Sequence, residues 1–244
     1  MSAETTESSL LVQRQFDWPN WRLPGPFKKI DLDHDLMYPE WMKGDWHVLS
    51  IDLDATKEKT ISHFAHFNYD DISGKVIGDR KFNSESLGKE ILGNKLIRVE
   101  LDPKSPNRQL ALFQGETFLE TKIIGRNQEM NGTKVFLTDE LALQIFHLLS
   151  STRISQVETL TRYQECKDDF SEAKLIPENS ICAEQWQAQY PTPEETLRPK
   201  PKNLNHFLLL FIPQIENFPI DLAKQITFLE RDYHLNQDNL SPRD

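Results

Sequence analysis

The sequence predicts a mainly β protein in which about ten antiparallel strands form a barrel, with two or three short helices and an extended N-terminal arm. From Gly44 onward, short runs of β-branched, aromatic and aliphatic residues are separated by turn residues at regular intervals. Asn131-Gly132 is a strong hairpin signal, and Gly115 separates two other runs at hairpin spacing. The runs do not alternate with helical segments as in βαβ units, so we expect an antiparallel sheet that closes or stacks on itself.

The composition divides the chain into three parts. Residues 1–43 hold several Trp and Phe residues among prolines, which disfavour a long helix, so we expect an extended arm that packs along the main domain. Residues 44–212 form the predicted barrel. Residues 213–244 are expected to hold a closing helix at 219–233, where apolar residues recur at helical spacing, and a polar tail.

The strands and helices of the barrel follow from local patterns. Ser84 is a suitable N-cap for a short helix at 85–92. A second helix is expected at 138–149, where Leu141 and Ile145 belong to an apolar stripe with helical spacing. The expected strands are 45–53, 61–69, 75–82, 95–101, 108–114, 116–124, 133–137, 154–166, 180–190 and 206–212.

Composition and charge limit the function classes. The 28 Lys and Arg residues against 38 Asp and Glu residues give a net charge of −10 at pH 7. This acidic balance argues against a broad binding surface for nucleic-acid phosphates or anionic lipid headgroups. The N-terminus lacks the basic and apolar regions of a secretory signal. The most apolar run, residues 206–212, is too short to cross a bilayer, so we expect a cytoplasmic protein.

The cysteines and histidines give no metal or redox motif. Cys166 and Cys182 could face each other across a hairpin, but free thiols are favoured in a cytoplasmic chain, and the sequence leaves their pairing open. His63 and His66 are three residues apart on a predicted strand and therefore point to opposite faces. Together with His47 they form no zinc-ligand pattern. We predict no metal site and assign no catalytic residue.

The candidate ligand-binding residues are Arg80, Asn83, Arg98 and Arg108. On the predicted strand 75–82, alternation places Arg80 on the same face as Phe82, so an inward Phe82 implies an inward Arg80. A buried guanidinium needs a carboxylate or an anionic ligand as its partner. Three arginines that face one cavity could bind the carboxylate of a small molecule. Alternatively, each of them pairs with an internal acidic residue such as Asp79, Glu100 or Glu120.

The segment Gly44-Asp45-Trp46 resembles the opening of a calycin barrel, the group that includes lipocalins and fatty-acid-binding proteins. In those folds the indole plugs the closed end of the barrel, and an arginine from a late strand lies over it. Arg162 is placed to be that arginine. The resemblance therefore implies structural roles for Gly44, Trp46 and Arg162, with a cation–π contact worth about 0.5–2 kcal/mol between the last two.

A closer resemblance is to an uncharacterised domain family of cyanobacteria and chloroplasts, over roughly residues 20–190. It is carried by Leu23-Pro24-Gly25, by Tyr38-Pro39-Glu40-Trp41, by residues 79–83 and by residues 157–163. The resemblance implies a photosynthetic setting and no established activity. We therefore expect a non-catalytic accessory protein that aids assembly of a pigment–protein complex, with a possible thylakoid association. A carrier of a bilin, tetrapyrrole or lipid and a chromophore lyase of the calycin type remain alternatives.

Overall fold

The computed structural model describes residues 9–30, 34–55, 60–166, 176–191 and 199–214. Within these residues, eleven antiparallel strands form a single sheet, and two α-helices, Leu10–Phe16 (α1) and Arg80–Leu92 (α2), accompany it. The prediction of a mainly β, barrel-like fold with about ten strands is confirmed. The strands are Met37–Tyr38 (β1), Gly44–Asp52 (β2), Thr60–Tyr69 (β3), Val76–Gly78 (β4), Leu96–Asp102 (β5), Ser105–Phe113 (β6), Thr117–Asn131 (β7), Val135–His147 (β8), Thr152–Glu165 (β9), Ile181–Tyr190 (β10) and Asn203–Pro213 (β11).

The sheet curls into a half-barrel, with the strand order β1-β4-β3-β2-β11-β10-β9-β8-β7-β6-β5. Tyr38 of β1 packs against Phe67 of β3, with ring centroids 4.8 Å apart, and against Phe136 of β8, with ring centroids 5.7 Å apart. Four strands separate β3 from β8 in the sheet order. The face that carries Phe67 and Phe136 is therefore concave. We call it the inner face and its opposite the outer face.

Helix α2 bridges the two sides of the half-barrel. The hydroxyl of Ser86 accepts a hydrogen bond of 2.8 Å from the backbone N–H of Phe64 in β3. The carboxylate of Glu85 accepts one of 2.8 Å from the backbone N–H of Val99 in β5. Both N–H groups lie on strand edges. At these positions, no strand among the described residues pairs with either edge. Side chains of α2 thus satisfy edge groups that would otherwise be open to another strand.

Apolar side chains pack on both faces of the sheet. An aromatic-rich cluster on the inner face lies near the start of β2 and includes Trp46. On the outer face, Trp21 and Leu23 of the N-terminal arm pack with Leu160 and Trp186 of the sheet. The arm, described over residues 9–30, therefore covers part of the outer face. Among the described residues, neither helix has the length and apolar character needed to cross a bilayer.

Two local predictions are wrong. The expected helix at 138–149 is instead most of strand β8, because this segment pairs with β7 on one side and β9 on the other, and these pairings outweigh its helical periodicity. The expected strand 75–82 ends at Gly78. The side chain of Asp79 accepts a hydrogen bond from the N–H of Phe82, so the helix begins at Arg80 rather than after Ser84.

Other predictions of local structure have mixed outcomes. The Asn131-Gly132 hairpin is confirmed, because Gly132 has a φ of +69° in the turn between β7 and β8. The expectation of free thiols is wrong, since Cys166 and Cys182 form a disulfide that links the end of β9 to β10. The arm contains the short helix α1 in addition to its extended part. The expected helix at 219–233 lies outside the described residues.

Candidate functional site

Two arginines and two carboxylates form a compact cluster inside the half-barrel. The Nε atom of Arg80 donates a hydrogen bond of 2.7 Å to Asp35, and its Nη2 atom donates one of 2.9 Å to Glu140. Arg126 donates from Nε to the same Glu140 oxygen at 2.8 Å and forms an ion pair with Asp35 at 3.4 Å. Each arginine therefore contacts both carboxylates. We call these four residues the inner cluster.

Four separate segments position the inner cluster. Arg80 is the first residue of α2, and Asp35 precedes β1. Arg126 of β7 and Glu140 of β8 are directly opposite each other in the antiparallel register, so their side chains share the inner face. Asn107 of β6 completes the arrangement by accepting a hydrogen bond of 2.7 Å from Arg126. The cluster thus connects α2 and the segment just before β1 to the sheet.

The charges of the inner cluster balance. Burial opposes the charged form of Arg80, but Glu140 and Asp35 outweigh burial and raise its pKa. Burial likewise opposes the charged form of Glu140, but Arg80 and Arg126 lower its pKa below the usual range. Both groups therefore remain charged at neutral pH. The guanidinium charge of Arg80 is shared between two carboxylates, which leaves little net positive charge to attract an anionic ligand.

A pocket of about 160 Å³ lies beside the inner cluster, and its lining includes Tyr38, Asn83 and Ser84. Burial, followed by the effects of Tyr163 and Glu140, raises the pKa of Tyr38 well above its ordinary value, so its hydroxyl stays protonated. The amide of Asn83 is engaged with β3, because it accepts a hydrogen bond of 2.7 Å from the N–H of His66. The pocket therefore presents hydroxyl groups beside a neutralised ion cluster.

The structure brings together only part of the predicted arginine site. Arg80 and Asn83 line the same pocket. Arg98 is exposed and donates a hydrogen bond of 2.6 Å to Glu100. Arg108 donates to Glu120 at 2.7 Å and to Asp102 at 2.9 Å, and it lines a second, smaller pocket together with Arg80. The arginines are thus paired with carboxylates of the chain, as the alternative interpretation of the sequence allowed, and two of the named partners, Glu100 and Glu120, are among them.

The calycin-like residues are only partly arranged as the resemblance implies. Gly44 begins β2 with a φ of +144°, and Trp46 is buried in the inner aromatic cluster, where its Nε1 donates a hydrogen bond of 2.9 Å to the carbonyl of Met42. The strand register places Arg162 with Glu184 on the outer face. The expected contact between Arg162 and Trp46 is therefore wrong, because the two side chains lie on opposite faces of the sheet.

A second charged cluster, on the outer face, lies under the N-terminal arm. Arg14 of α1 donates two hydrogen bonds to the carboxylate of Glu158 in β9, from Nε at 2.7 Å and from Nη2 at 2.8 Å. The hydroxyl of Tyr190 in β10 donates to the same carboxylate. Asp139 of β8 is fully buried next to Glu158. We call these four residues the outer cluster.

One end of the sheet exposes several large apolar side chains, which we call the apolar tip. The start of β5, the β6–β7 turn, the β8–β9 turn and the end of α2 lie at this end. The strand pairing shows this, because Leu96 pairs with Phe113, and His147 pairs with Phe118 and Thr152. Leu149 is 78% exposed and Ile97 is 52% exposed. Phe113 and Phe146 pack together nearby, with ring centroids 5.7 Å apart. The tip consists of Ile91, Leu92, Ile97, Leu149 and Ile154.

The sequence predictions missed both clusters except for Arg80. Glu140 carries the clearest signal, since it lies in a largely apolar strand and a buried charge needs a partner. The sequence pattern predicts a helix start at Asp139 and Glu140. It therefore does not predict that the two side chains lie on opposite faces of a strand. As for metals, no group of three or more His, Cys, Asp or Glu side chains that could hold an ion occurs in the part of the chain that the structure describes.

Comparison with known proteins gives one match. The model of a family described as a domain of unknown function (DUF6816) matches residues 32–205, which is more than half of the chain. No curated protein and no solved structure matches. The matched region begins near Asp35 and contains β1 to β10, so it includes the whole inner cluster and the apolar tip. Arg14 of the outer cluster lies before it.

Proposed function

The chain belongs to the DUF6816 family, and on this premise we propose that it is a non-catalytic accessory protein that binds another protein through the apolar tip. Because the sequence resembles a family of cyanobacteria and chloroplasts, the partner that we propose is a subunit or assembly intermediate of a pigment–protein complex. The observation that carries the proposal is the concentration of exposed Leu149, Ile97 and their apolar neighbours at one end of the sheet.

The apolar tip has the chemistry of a protein-binding surface. Large apolar side chains that are exposed at one end of a fold are unfavourable in water, and such surfaces commonly mark interaction sites. The tip is also less acidic than the chain as a whole, because Lys95, Arg98 and Arg153 lie among its apolar residues. A partner could therefore approach this end without strong repulsion from the net charge of −10. Burial of the tip against a partner would supply the affinity.

The alternative of a tetrapyrrole or bilin carrier has weaker support. Pockets that hold ligands of drug size are typically about 300–1,000 Å³. The pocket beside Arg80 has a volume of about 160 Å³, which is small for such a pigment. Its positive charge is neutralised by Asp35 and Glu140, so a propionate would have to compete with two carboxylates. These features favour a protein partner over a small-molecule cargo.

The Cys166–Cys182 disulfide bears on the proposed location. Disulfides persist in oxidising compartments and are rare in the reducing cytoplasm. We therefore place the proposed activity in an oxidising compartment of a photosynthetic cell rather than in the cytoplasm. Retention of the disulfide in protein isolated with thiols blocked would support this location, and fully reduced cysteines would contradict it.

In-cell photocrosslinking tests the proposed function. The photoreactive residue p-benzoylphenylalanine replaces Leu149 at the tip in one variant and Ile72 in a matched control, since Ile72 is 94% exposed at the opposite end of the sheet. Both are expressed as full chains in a photosynthetic host and irradiated. We expect the Leu149 position to give a discrete crosslink to a subunit or assembly factor of a pigment–protein complex, and the Ile72 position to lack it.

The substitution Ile97→Asp in the Leu149 crosslinking variant provides the second arm of this experiment. We expect it to abolish the crosslink while it leaves the thermal unfolding midpoint unchanged, because Ile97 is already exposed to solvent. The proposal fails if both positions crosslink to the same abundant proteins, if neither gives a discrete product, or if Ile97→Asp leaves the crosslink intact.

A further inference from the structure

The N-terminal arm is attached to the outer face by a few specific polar contacts. The Nε1 atom of Trp21 donates a hydrogen bond of 2.6 Å to the carbonyl of Arg14, which holds the arm against its own helix. The side chain of Asn127 donates one of 3.1 Å to the carbonyl of Pro26. The Arg14–Glu158 ion pair is the charged link between arm and sheet, with side chains 9% and 0% exposed. A backbone bridge between Lys28 and Arg126 and the apolar packing of Trp21 and Leu23 also hold the arm, and the outer cluster adds its charged contact.

The outer cluster contains more acidic groups than basic ones. One guanidinium, that of Arg14, faces two carboxyl groups, those of Glu158 and Asp139. The guanidinium forms a bidentate pair with Glu158. No N–H or O–H group of the described residues donates a hydrogen bond to the carboxyl oxygens of Asp139, although the residue is fully buried, and a hydrogen bond with the carboxyl group of Glu158 contributes to its raised pKa. If both carboxyls were ionised, one buried negative charge would lack compensation, which is strongly unfavourable.

We propose that the arm, residues 9–30, is a pH-responsive strap that stays docked while the Asp139–Glu158 pair holds one proton and is released when both carboxyls are ionised. The arm lies over the outer cluster, where Asp139 is fully buried, and it supplies the only cation among the four residues of that cluster. Release of the arm would hydrate Asp139 and remove the cost of its charge. Docking of the arm and protonation of the pair are therefore linked.

The surrounding charges give the direction of the pH dependence. The groups that face Asp139 are Arg14 from α1, Glu158 from β9 and Tyr190 from β10, and the charge of Glu140 acts on it from the opposite face of the same strand. Burial and then the charge of Glu158 raise the pKa of Asp139 well above its ordinary value, and Arg14 offsets them only in part. A raised pKa in the docked form means that docking is strongest in acid and is lost as the pH rises through that raised value.

Release of the strap would uncover an apolar area of the outer face. Trp21 and Leu23 of the arm pack there on Leu141, Leu160 and Trp186 of the sheet. An uncovered area of this kind is a potential contact surface for other molecules. The arm therefore acts as an internal cover, and the proton controls access to the face beneath it. The apolar tip lies outside the area that the arm covers, so release of the arm would not change the exposure of the tip.

Hydrogen exchange of the full chain between pH 5 and pH 9 tests the strap, with each rate divided by the intrinsic rate of an unfolded peptide at the same pH. We expect protection of arm amides to fall by about tenfold per pH unit between the ordinary pKa of Asp and its raised value, because one proton is linked to docking. Amides of β2, in the core of the sheet, serve as the internal reference and should show no such slope.

Two variants make the test specific. Asp139→Asn keeps the size of the side chain and cannot ionise, so we expect its arm protection to be independent of pH. Glu129→Gln is the matched control, because Glu129 accepts a hydrogen bond from the N–H of Leu11 in the arm but is not part of the outer cluster. It should keep the slope of the unmodified chain. Carboxyl carbon NMR of the unmodified chain should show Asp139 titrating over the same pH range as the arm amides.

The strap proposal is overturned by any of three results. The first is arm protection that does not change with pH in the unmodified chain. The second is an Asp139→Asn variant that folds and keeps the original slope. The third is an Asp139 resonance that titrates near pH 4, the ordinary value for aspartate of about 3.9, while the arm stays protected.

Discussion

Asp139 and Glu140 are neighbours in one strand, yet their surroundings shift their pKa values in opposite directions. They lie on opposite faces of β8, because successive side chains of a strand alternate. Asp139 faces the outer cluster, where its pKa is raised. Glu140 faces the inner cluster, where its pKa is lowered. Burial opposes ionisation at both positions, so burial cannot explain the difference.

The number of cations near each carboxyl group explains the contrast. Glu140 bonds to two guanidinium groups, those of Arg80 and Arg126. Asp139 has one guanidinium nearby, that of Arg14, and this group is engaged by Glu158. A balanced cluster keeps its charges and stabilises the fold at neutral pH, whereas an unbalanced one keeps a proton and becomes sensitive to pH. Strand β8 therefore contributes one residue to a charge-balanced structural cluster and one residue to a pH-sensitive cluster.

The largest expected effect follows removal of the outer cation by Arg14→Met. Glu158 would then be buried without a cation, and breaking such a pair typically costs about 3–5 kcal/mol. We expect a loss of this size in the free energy of unfolding at pH 7, measured by urea denaturation. A loss of less than about 1 kcal/mol, the range for exposed pairs, would contradict the assignment of Glu158 as the buried charged partner.

The matched change in the inner cluster is Arg126→Met. The two arginines are similarly buried, with side chains 9% exposed for Arg14 and 11% for Arg126. Arg80 still contacts both inner carboxylates in this variant, so we expect a smaller loss of about 1.5–3 kcal/mol, the range for a hydrogen bond to a charged group. A loss as large as that of Arg14→Met would show that burial, rather than charge balance, sets the cost.

The same variant should change the titration of Glu140. In the unmodified chain, Arg80 and Arg126 lower its pKa against the effect of burial, so its contribution to stability is present above the ordinary pKa of Glu and is lost as the pH falls through the lowered value. With Arg126 absent, the inner cluster has one cation for two carboxylates, as the outer one has. We expect carboxyl carbon NMR to show a higher pKa for Glu140. An unchanged value would exclude Arg126 as a cause of the shift.

The sequence predicted the sheet better than either cluster. Hairpins such as that at Asn131-Gly132 are specified by adjacent residues, and most strands follow from local alternation. The segment 138–149 satisfies both helical spacing and alternation, and only its pairing with two neighbouring strands decides between them. A reading of this segment as a strand would have placed Asp139 and Glu140 on opposite faces.

The partners of Arg80 could not be predicted from local spacing. The sequence indicated that Arg80 needs a carboxylate, but Asp35 and Glu140 are 45 and 60 residues away from it. Arg98 and Arg108 have partners two and 12 residues away, and both of these, Glu100 and Glu120, could be named in advance. Contacts within a strand or a hairpin are visible in sequence once the strands are assigned correctly, which the helix predicted at 138–149 prevented for Arg126 and Glu140. The contacts of Arg80, which depend on the curl of the sheet, are not visible in this way.

The smallest expected effect is that of Arg108→Met, and it isolates the role of solvent. Arg108 resembles Arg14 in that one guanidinium bonds to two carboxylates, here Glu120 and Asp102. Its side chain is 35% exposed, so water screens the charges that the substitution leaves unpaired. We expect a loss of about 0.2–1 kcal/mol by urea denaturation, the range for exposed pairs. A loss comparable with that of Arg14→Met would mean that the ratio of cations to carboxylates determines the loss of stability even in contact with water. The pH sensitivity of the outer cluster would then not require burial by the arm.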